Sequence, residues 1–577
     1  MHKQLVDSIA KVTPLPPETI KKVLVRSKEI GHGDYAFPCF LLSKEWKLNP
    51  AESAKKLQST ISLPSGFEKA EPAGPYLNFY FDRAAFAKET VASILTQGEK
   101  YGRGNNGDKK YILEYSSPNI AKPFHVGHLR GTLIGHALDR LFRHLGYNVI
   151  SINHLGDWGT QFGFVYAGCK VWGRPTNGTI DDLVEVYRKA NGLRKAQDEK
   201  KVAPEDASKP DINQMAKEYF VRLEAGDKEA AEFWQWALDI SMGYALKIYK
   251  RLGMHFDYYT GESFYRDMLP KVEKDLKESG LLVNSNGALG VELDKKLGFV
   301  RIFTEDGRSL YMTRDLATAD YRYKTFNPDK ILIVIGNPQE LYLKQLFTVL
   351  EKMKHPISGK MEHIAFGHVP GISTRKVASG DERISLGDLL DDAYERALEA
   401  YQNQVEKDKR PEGLDEKKVA EAVGLGAVFY DYLARTNNKD FHFDWDSALS
   451  FQGDTGPYIL YALARLNSIE SKAKESGITS GVSLDPSVLV DDDSYALVSL
   501  LSKFSDILEK AAAEREPYHV ALFALEVAKT FSGAYRKLRV IGEPQNVAQA
   551  RLSLFMAARS VLKTAATLIG MQPVDRM

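Results

Sequence analysis

The sequence is almost without cysteine: Cys39 and Cys169 are the only two among 577 residues, and they stand far apart in no metal-ligand spacing. That excludes a disulfide scaffold, leaves no structural zinc to expect, and fits a reducing compartment. No apolar run approaches the roughly 20 residues of a membrane span. The opening Met1-His2-Lys3-Gln4 lacks the apolar core of a secretory signal. A cytoplasmic protein with no membrane partner is expected. Neither charge sign dominates, because 77 Lys and Arg face 76 Asp and Glu for a formal charge of +1. Any polyanion site must therefore be built from local clusters rather than a global field. Internal repeats and low-complexity tracts are missing too. What is present is an ordinary globular composition, 44% hydrophobic and 27% charged. A chain of this length divides into several domains at about 100–200 residues each and can bury a large core.

Residues 1–105 read as a small separate unit, in which helical periodicity (Leu5, Ile9, Ala54, Leu57) gives way to the strand Tyr76-Leu77-Asn78-Phe79-Tyr80-Phe81. A Gly- and Asn-rich boundary, 102–108, follows. Tyr111-Ile112-Leu113-Glu114-Tyr115 predicts a strand that ends at Ser116-Ser117-Pro118-Asn119, since proline disfavours helix at the residue before it. Leu129, Leu133, Ala137, Leu141 and Leu145 then recur every four residues as one face of an amphipathic helix, stopped at Gly146. Tyr147 to Ile152 is the next strand. Strand, helix and strand in this order make a βαβ unit and predict an α/β, Rossmann-type parallel sheet. The continuous apolar run Ile331-Leu332-Ile333-Val334-Ile335 marks a further strand covered on both faces. Residues 165–300 read as an insertion whose polar tract, Asn191 to Gln214, predicts an exposed loop or helix ends. The charged stretch Lys407 to Gly413 is expected to be a linker. Helices are predicted beyond it at Val423–Arg435, Tyr458–Ser471, Ala496–Ala513, Ala521–Arg536 and Ala548–Gly570.

His125-Val126-Gly127-His128 falls between the first strand and the helix, where a parallel sheet opens its ligand crevice. Two histidines three apart at a helix N-terminus can face one ligand, and Gly127 leaves room for close approach. Helix end and imidazole donors suit a triphosphate whose charge grows during displacement at the α-phosphate. Taken alone, this pair is often no more than a solvated or capping feature.

Four segments together carry a resemblance. Ser116 to Gly131 and His154-Leu155-Gly156-Asp157-Trp158-Gly159-Thr160-Gln161-Phe162-Gly163 resemble signature segments of the class I arginyl-tRNA synthetases. Gly307 to Asp315 resembles that family's arginine-pocket segment, and Ser450 to Tyr458 the start of its anticodon-binding domain. The resemblance implies a Rossmann-type catalytic domain with insertions (106–400), an N-terminal α+β tRNA-binding domain (1–105) and an all-α anticodon-binding bundle (401–577). It implies arginine, ATP with Mg2+ and tRNA-Arg as partners and no permanent cofactor. The activity implied is formation of arginyl-adenylate and transfer of the arginyl group to the tRNA 3′ end, with tRNA needed for the first step. A monomer is expected, since nothing in the sequence suggests a large apolar interface.

Residue by residue, the resemblance implies that Asp315 and Tyr311 hold the guanidinium with Glu114 as a second carboxylate, and that Ser117, Pro118, Asn119, His128 and Gln339 complete the arginine site. An ordinary helix start is the competing reading of Tyr311 and Asp315. His125, Gly127, His128, Ser373 and Thr374 are expected at ATP. The second signature loop survives only as Gly371-Ile372-Ser373-Thr374-Arg375-Lys376, without its leading lysine, so Lys122 is the expected substitute beside Arg375 and Lys376. Tyr342 stands where many relatives have histidine, which leaves a contact at the nucleotide end open. Asp157 and Trp158 could equally be structural. For tRNA the implied contacts are Tyr76 and Asn78 in the N-terminal domain and Tyr458, Tyr461, Arg465 and Met577 in the C-terminal one, with Arg536, Lys537 and Arg539 as a basic patch. A small nucleotidyltransferase with the same histidine motif would leave the insertion and the helical third unexplained. A non-catalytic tRNA-binding paralogue would have no use for the intact His125, His128, Asn119, Asp315 and Gln339.

Overall fold

A computed structural model describes the whole chain except residues 28–31, 121–123, 125, 177, 286–287, 304–309, 371–384 and 405–412. At its centre five strands run parallel in the order Met361–Phe366, Lys330–Gly336, Lys110–Glu114, Asn148–Asn153, Tyr258–Tyr259. Chain order therefore reverses between Lys110–Glu114 and Lys330–Gly336, which is where an open parallel sheet forms its crevice.

The apolar strands alternate between two cores, as strands covered on both faces must. Tyr111, Leu113, Leu332 and Val334 point into a core shared with helix Leu129–His144 and the C-terminal helices. Ile112, Ile331 and Ile333 point the other way, into a core shared with helices Tyr311–Phe326 and Glu340–Lys352. Helix Leu129–His144 is buried almost all round rather than amphipathic, because it lies between sheet and bundle. Arg130 within it donates to the carbonyls of Gly367 (2.9 Å), Thr436 (3.1 Å) and Lys439 (2.8 Å). Arg140 donates to His136 Nε2 (2.8 Å) and to the carbonyls of Thr567 (3.3 Å) and Gly253 (3.2 Å).

Before the sheet stands an antiparallel four-stranded sheet, Val25–Arg26, Tyr35–Pro38, Tyr76–Phe81 and Phe67–Ala73 in spatial order, with helices packed on it. Within the expected insertion lie helices Thr160–Trp172, Ile180–Asp198, Ile212–Glu224 and Lys228–Arg251 and an antiparallel three-stranded sheet. The polar tract there is helical up to Asp198, because Thr179 caps that helix and its apolar face (Leu183, Val186, Ala190, Leu193) is buried. The expected helix over Ala496–Ala513 is two helices, Asp492–Leu501 and Phe504–Glu514, broken at Ser502-Lys503. The other C-terminal helices are Glu416–Leu433, Gly456–Glu475, Tyr518–Tyr535 and Gln545–Leu568, and most of the expected linker lies outside the described residues. Among the described residues no helix is long and apolar enough to cross a membrane.

The helices Glu416–Leu433 and Gly456–Glu475 meet at a glycine pair, where a Cβ on Gly456 would come 2.0 Å from the Gly426 carbonyl oxygen. Gly456→Ala should force these helices apart and lower stability by about 1–3 kcal/mol, the usual cost of overpacking. Urea unfolding checks this, and an unchanged midpoint would mean that the crossing has slack.

Candidate active site

The crevice opens beyond the first strand, and the chain turns out of it under strain. Ser116 (φ +73°) and Ser117 (φ +43°) both adopt left-handed backbone, a conformation costing about 1–3 kcal/mol at each non-glycine residue. Hydrogen bonds hold them there. Ser116 Oγ lies 2.7 Å from the Tyr249 hydroxyl and 2.9 Å from Thr132 Oγ1, and Tyr249 also accepts from Asn153 Nδ2 at 2.9 Å. The turn puts Pro118 inside and Asn119 outside.

The second signature segment clasps this turn. Gly156 N donates to Pro118 O and Ile120 N to Gly156 O, each at 3.1 Å. A Cβ at 156 would come 2.3 Å from Asn119 Oδ1, so a side chain there would displace the Asn119 amide. Asp157, buried, accepts from Ser263 N (2.9 Å) and Ser263 Oγ (2.6 Å), and its own carbonyl accepts from Trp234 Nε1 at 2.7 Å. Trp158 packs with Phe220 and Trp234. These two residues therefore have a structural role: they anchor the 3-10 segment Glu262–Met268 and bring Glu262 to the crevice.

Glu262 was not singled out by sequence reasoning. It pairs with Arg314 Nη1 at 2.8 Å, with both side chains largely buried. Burial pushes its carboxyl up to about 7 against the pull of Arg314, with Asp315 adding to the rise. Asp315 lies beside it, and burial raises it to about 6, opposed by a hydrogen bond from the Tyr342 hydroxyl and reinforced by Glu114. Tyr342 thus meets Asp315, the residue expected to hold the guanidinium. Glu114, expected as a second carboxylate for a ligand, is already paired inside the protein with Arg322. Burial alone would raise Glu114, but the Arg322 guanidinium holds it below the ordinary glutamate value. His154 is pushed down to about 4 by burial, so it is neutral here.

Among the described residues, Glu114, Asp157, Glu262 and Asp315 share this region with the two arginines Arg314 and Arg322, an excess of acid that a bound cation would balance. Tyr311 starts the same helix as Asp315 and is 64% exposed, with the Arg314 guanidinium 5.5 Å from its ring centre. Gln339, exposed, ends the turn Asn337–Gln339 at the tip of the adjacent strand. His128 closes the turn Val126–His128 and caps helix Leu129–His144, its ring 5.3 Å from Phe124. Lys122, His125, Ser373, Thr374, Arg375 and Lys376 lie outside the described residues.

A second feature lies on the C-terminal helices, a cleft of about 690 Å3 lined by Tyr461, Arg465, Asn467, Tyr535, Arg559 and Met577 among others. Tyr461 is 41% exposed and so outside the bundle core, whereas Tyr458 is half-buried against it. Arg465 Nη2 donates to the Tyr461 hydroxyl at 2.8 Å and its guanidinium lies 5.3 Å from the Tyr535 ring centre. In the presumed basic patch Lys537 is paired with Asp493 at 2.8 Å. In the N-terminal sheet Tyr76 is exposed, but Asn78 is only 7% exposed, beneath Gly33, and offers RNA almost no surface.

Three family models match the chain: the N-terminal domain of arginyl tRNA synthetases over residues 1–81, the catalytic domain of class I (R) tRNA synthetases over 90–445, and the DALR anticodon binding domain over 459–577. The chain is 39% identical to an arginine–tRNA ligase of Clostridium botulinum, covering 99% of this chain and 97% of that one. It is 38% identical to an arginine–tRNA ligase of Levilactobacillus brevis over all of both chains. Among solved structures it resembles Thermus thermophilus arginyl-tRNA synthetase (TM-score 0.79, 22% identity, all of both chains). It is similar also to the Plasmodium falciparum arginyl-tRNA synthetase (TM-score 0.78, 23% identity, 100% and 99% covered).

The buried pair Glu114–Arg322 generates a stability prediction. Arg322→Ala strands a buried carboxylate and should cost about 3–5 kcal/mol. Part of the loss should return on acidification, as Glu114 takes up a proton. Denaturant titration at two pH values checks both effects; equal stability to wild type would mean that solvent already carries Glu114.

Proposed function

The chain belongs to the class I arginyl-tRNA synthetases, and from that membership we propose how its own residues divide the work. It charges tRNA with arginine, using ATP. In the proposed course, a carboxylate oxygen of arginine attacks the α-phosphate of Mg-ATP and pyrophosphate leaves. The arginyl group then passes to the terminal hydroxyl of the tRNA, releasing AMP. Neither step asks the protein for a nucleophile, so catalysis is positioning together with stabilisation of phosphate charge.

The observation that carries the assignment of the site is the acid excess beside the switch point of the sheet. A guanidinium supplies planar, permanently charged donors that match carboxylates held in a fork. Asp315 and Glu262 are proposed to receive it, with Tyr311 closing over it from the helix start. Glu114 acts through Arg322 as the fixed inner wall. Asn119, Ser117 and Gln339 line the other side of the crevice and are proposed to hold the amino and carboxylate end. His128 and the helix start at Gly127 are proposed to face the triphosphate, with His125, Lys122, Ser373, Thr374, Arg375 and Lys376 assigned there from sequence alone. Activation is proposed to require bound tRNA.

For tRNA, the proposed surfaces are Tyr76 in the unit 1–105 and the cleft of Tyr461, Arg465 and Met577 in the unit 401–577. An unpaired base can stack on Tyr461 while Arg465 meets the backbone. The unit between them, 106–400, is proposed as the catalytic domain.

The test of the arginine site is direct titration of arginine alongside arginine-dependent pyrophosphate exchange in the presence of tRNA. Asp315→Asn should weaken arginine binding by on the order of 2–5 kcal/mol while leaving ATP binding nearly intact. Asp315 (about 6) and Glu262 (about 7) must also shed protons before they can meet a guanidinium. Affinity should then fall as pH drops through these values, and binding just below neutrality should release protons, seen as a buffer-dependent heat. Unchanged affinity in Asp315→Asn removes this residue from the pocket.

On the RNA side, Tyr461→Ala should raise the KM for tRNA by the equivalent of about 1–3 kcal/mol, one lost base stack. A wild-type KM would make Tyr461 idle.

A further inference from the structure

Tyr342 stands on the helix beside Asp315, and the structure gives it a definite partner. Asp315 stands on helix Tyr311–Phe326 and Tyr342 on the neighbouring helix Glu340–Lys352, one turn after Gln339. The Tyr342 hydroxyl donates to Asp315 across that gap. Around Asp315, Glu114 from the strand and Glu262 from the 3-10 segment repel its charge, while Arg314 and Arg322 on its own helix attract it. Both arginines are engaged elsewhere, Arg314 with Glu262 and Arg322 with Glu114. Of the remaining titratable groups, His154 faces Glu114, and Asp157 is held by Ser263. Among the described residues, Tyr342 is the one side chain that donates a hydrogen bond to Asp315.

We propose that Tyr342 is a positioning residue for arginine recognition, its hydroxyl fixing the Asp315 carboxylate in the orientation that meets the substrate's guanidinium. The inference rests on Asp315 being a guanidinium partner. A carboxylate has about four acceptor sites, so one donor from Tyr342 leaves enough for a bidentate guanidinium. A buried phenol next to an acid loses its proton only far above the working range, so this donor never carries charge. A histidine in its place could become a cation and neutralise Asp315 in competition with the substrate. The phenol orients the acid without spending the pocket's negative charge.

The test is calorimetric titration of arginine into wild type, Tyr342→Phe, Asp315→Asn and the double variant, from mildly acidic to mildly alkaline pH. Tyr342→Phe should weaken arginine roughly tenfold, the scale of one lost hydrogen bond to a charged group. It should also move the acidic fall in affinity to higher pH and leave ATP binding as it was. In the Asp315→Asn background the same change should add almost nothing, because its effect runs through that carboxylate. Tyr342→His, which restores a donor, should regain part of the lost affinity at neutral pH and keeps the test available should the phenylalanine variant fold poorly. Wild-type affinity and pH dependence in Tyr342→Phe, full additivity in the double variant, or no recovery with histidine would each overturn the proposal. Normal arginine binding by Asp315→Asn would instead overturn the pocket assignment beneath it.

Discussion

One buried ion pair underlies the site. Glu114 ends the first central strand, and Arg322 projects from the third turn of the helix that begins at Tyr311. Their attraction ties sheet to pocket helix in a region where either charge alone would be prohibitively costly. Among the described residues Arg322 pairs with Glu114 and Arg314 with Glu262, and neither forms an ion pair with Asp315. In the proposed reading the substrate's guanidinium supplies the positive charge that meets Asp315. A guanidinium suits that role because it stays protonated at any pH at which the protein is folded.

Around that pair, the signature segments act as carpentry as much as chemistry. The strained serines aim Asn119 outward, Gly156 closes on them, and Asp157 carries the chain on to Glu262. An error at any of these points would displace a carboxylate that touches none of them. Preorganisation of this kind keeps the cost of orienting charged groups out of the reaction step itself.

How much of this could be read in the sequence depended on the range of the interaction. The strands at 110–114 and 330–336 were legible because both faces of a buried parallel strand must be apolar, and the helix after Gly127 because its leucines recur at fixed spacing. Asp315 stood out only through the resemblance carried by the segment Gly307 to Asp315. Glu262 did not, since a Gly-Glu-Ser stretch carries no period and reaches the site only through Asp157, over a hundred residues earlier. Arg322 looked like any mid-helix arginine, and Tyr342 like a misplaced histidine, until the packing of two helices gave each a carboxylate. The same limit explains Asn78: an exposed polar position in a strand pattern proved to be covered by a glycine turn. The break at Ser502-Lys503 escaped because both flanks are apolar in helical register.

The division of the interior into separate cores has a consequence for how the molecule comes apart. One face of the sheet, the N-terminal unit, the C-terminal helices and the end of helix Lys228–Arg251 bury their side chains in a single continuous core, whereas helices Ile180–Asp198 and Ile212–Glu224 bury theirs in two smaller cores. Cooperativity follows shared burial. Helices Ile180–Asp198 and Ile212–Glu224 can loosen locally, whereas Lys228–Arg251 is tied to the site through Tyr249 and Trp234. The C-terminal helices have no such independence: melting them means melting one wall of the central sheet, so protection against amide exchange should rise and fall together in both.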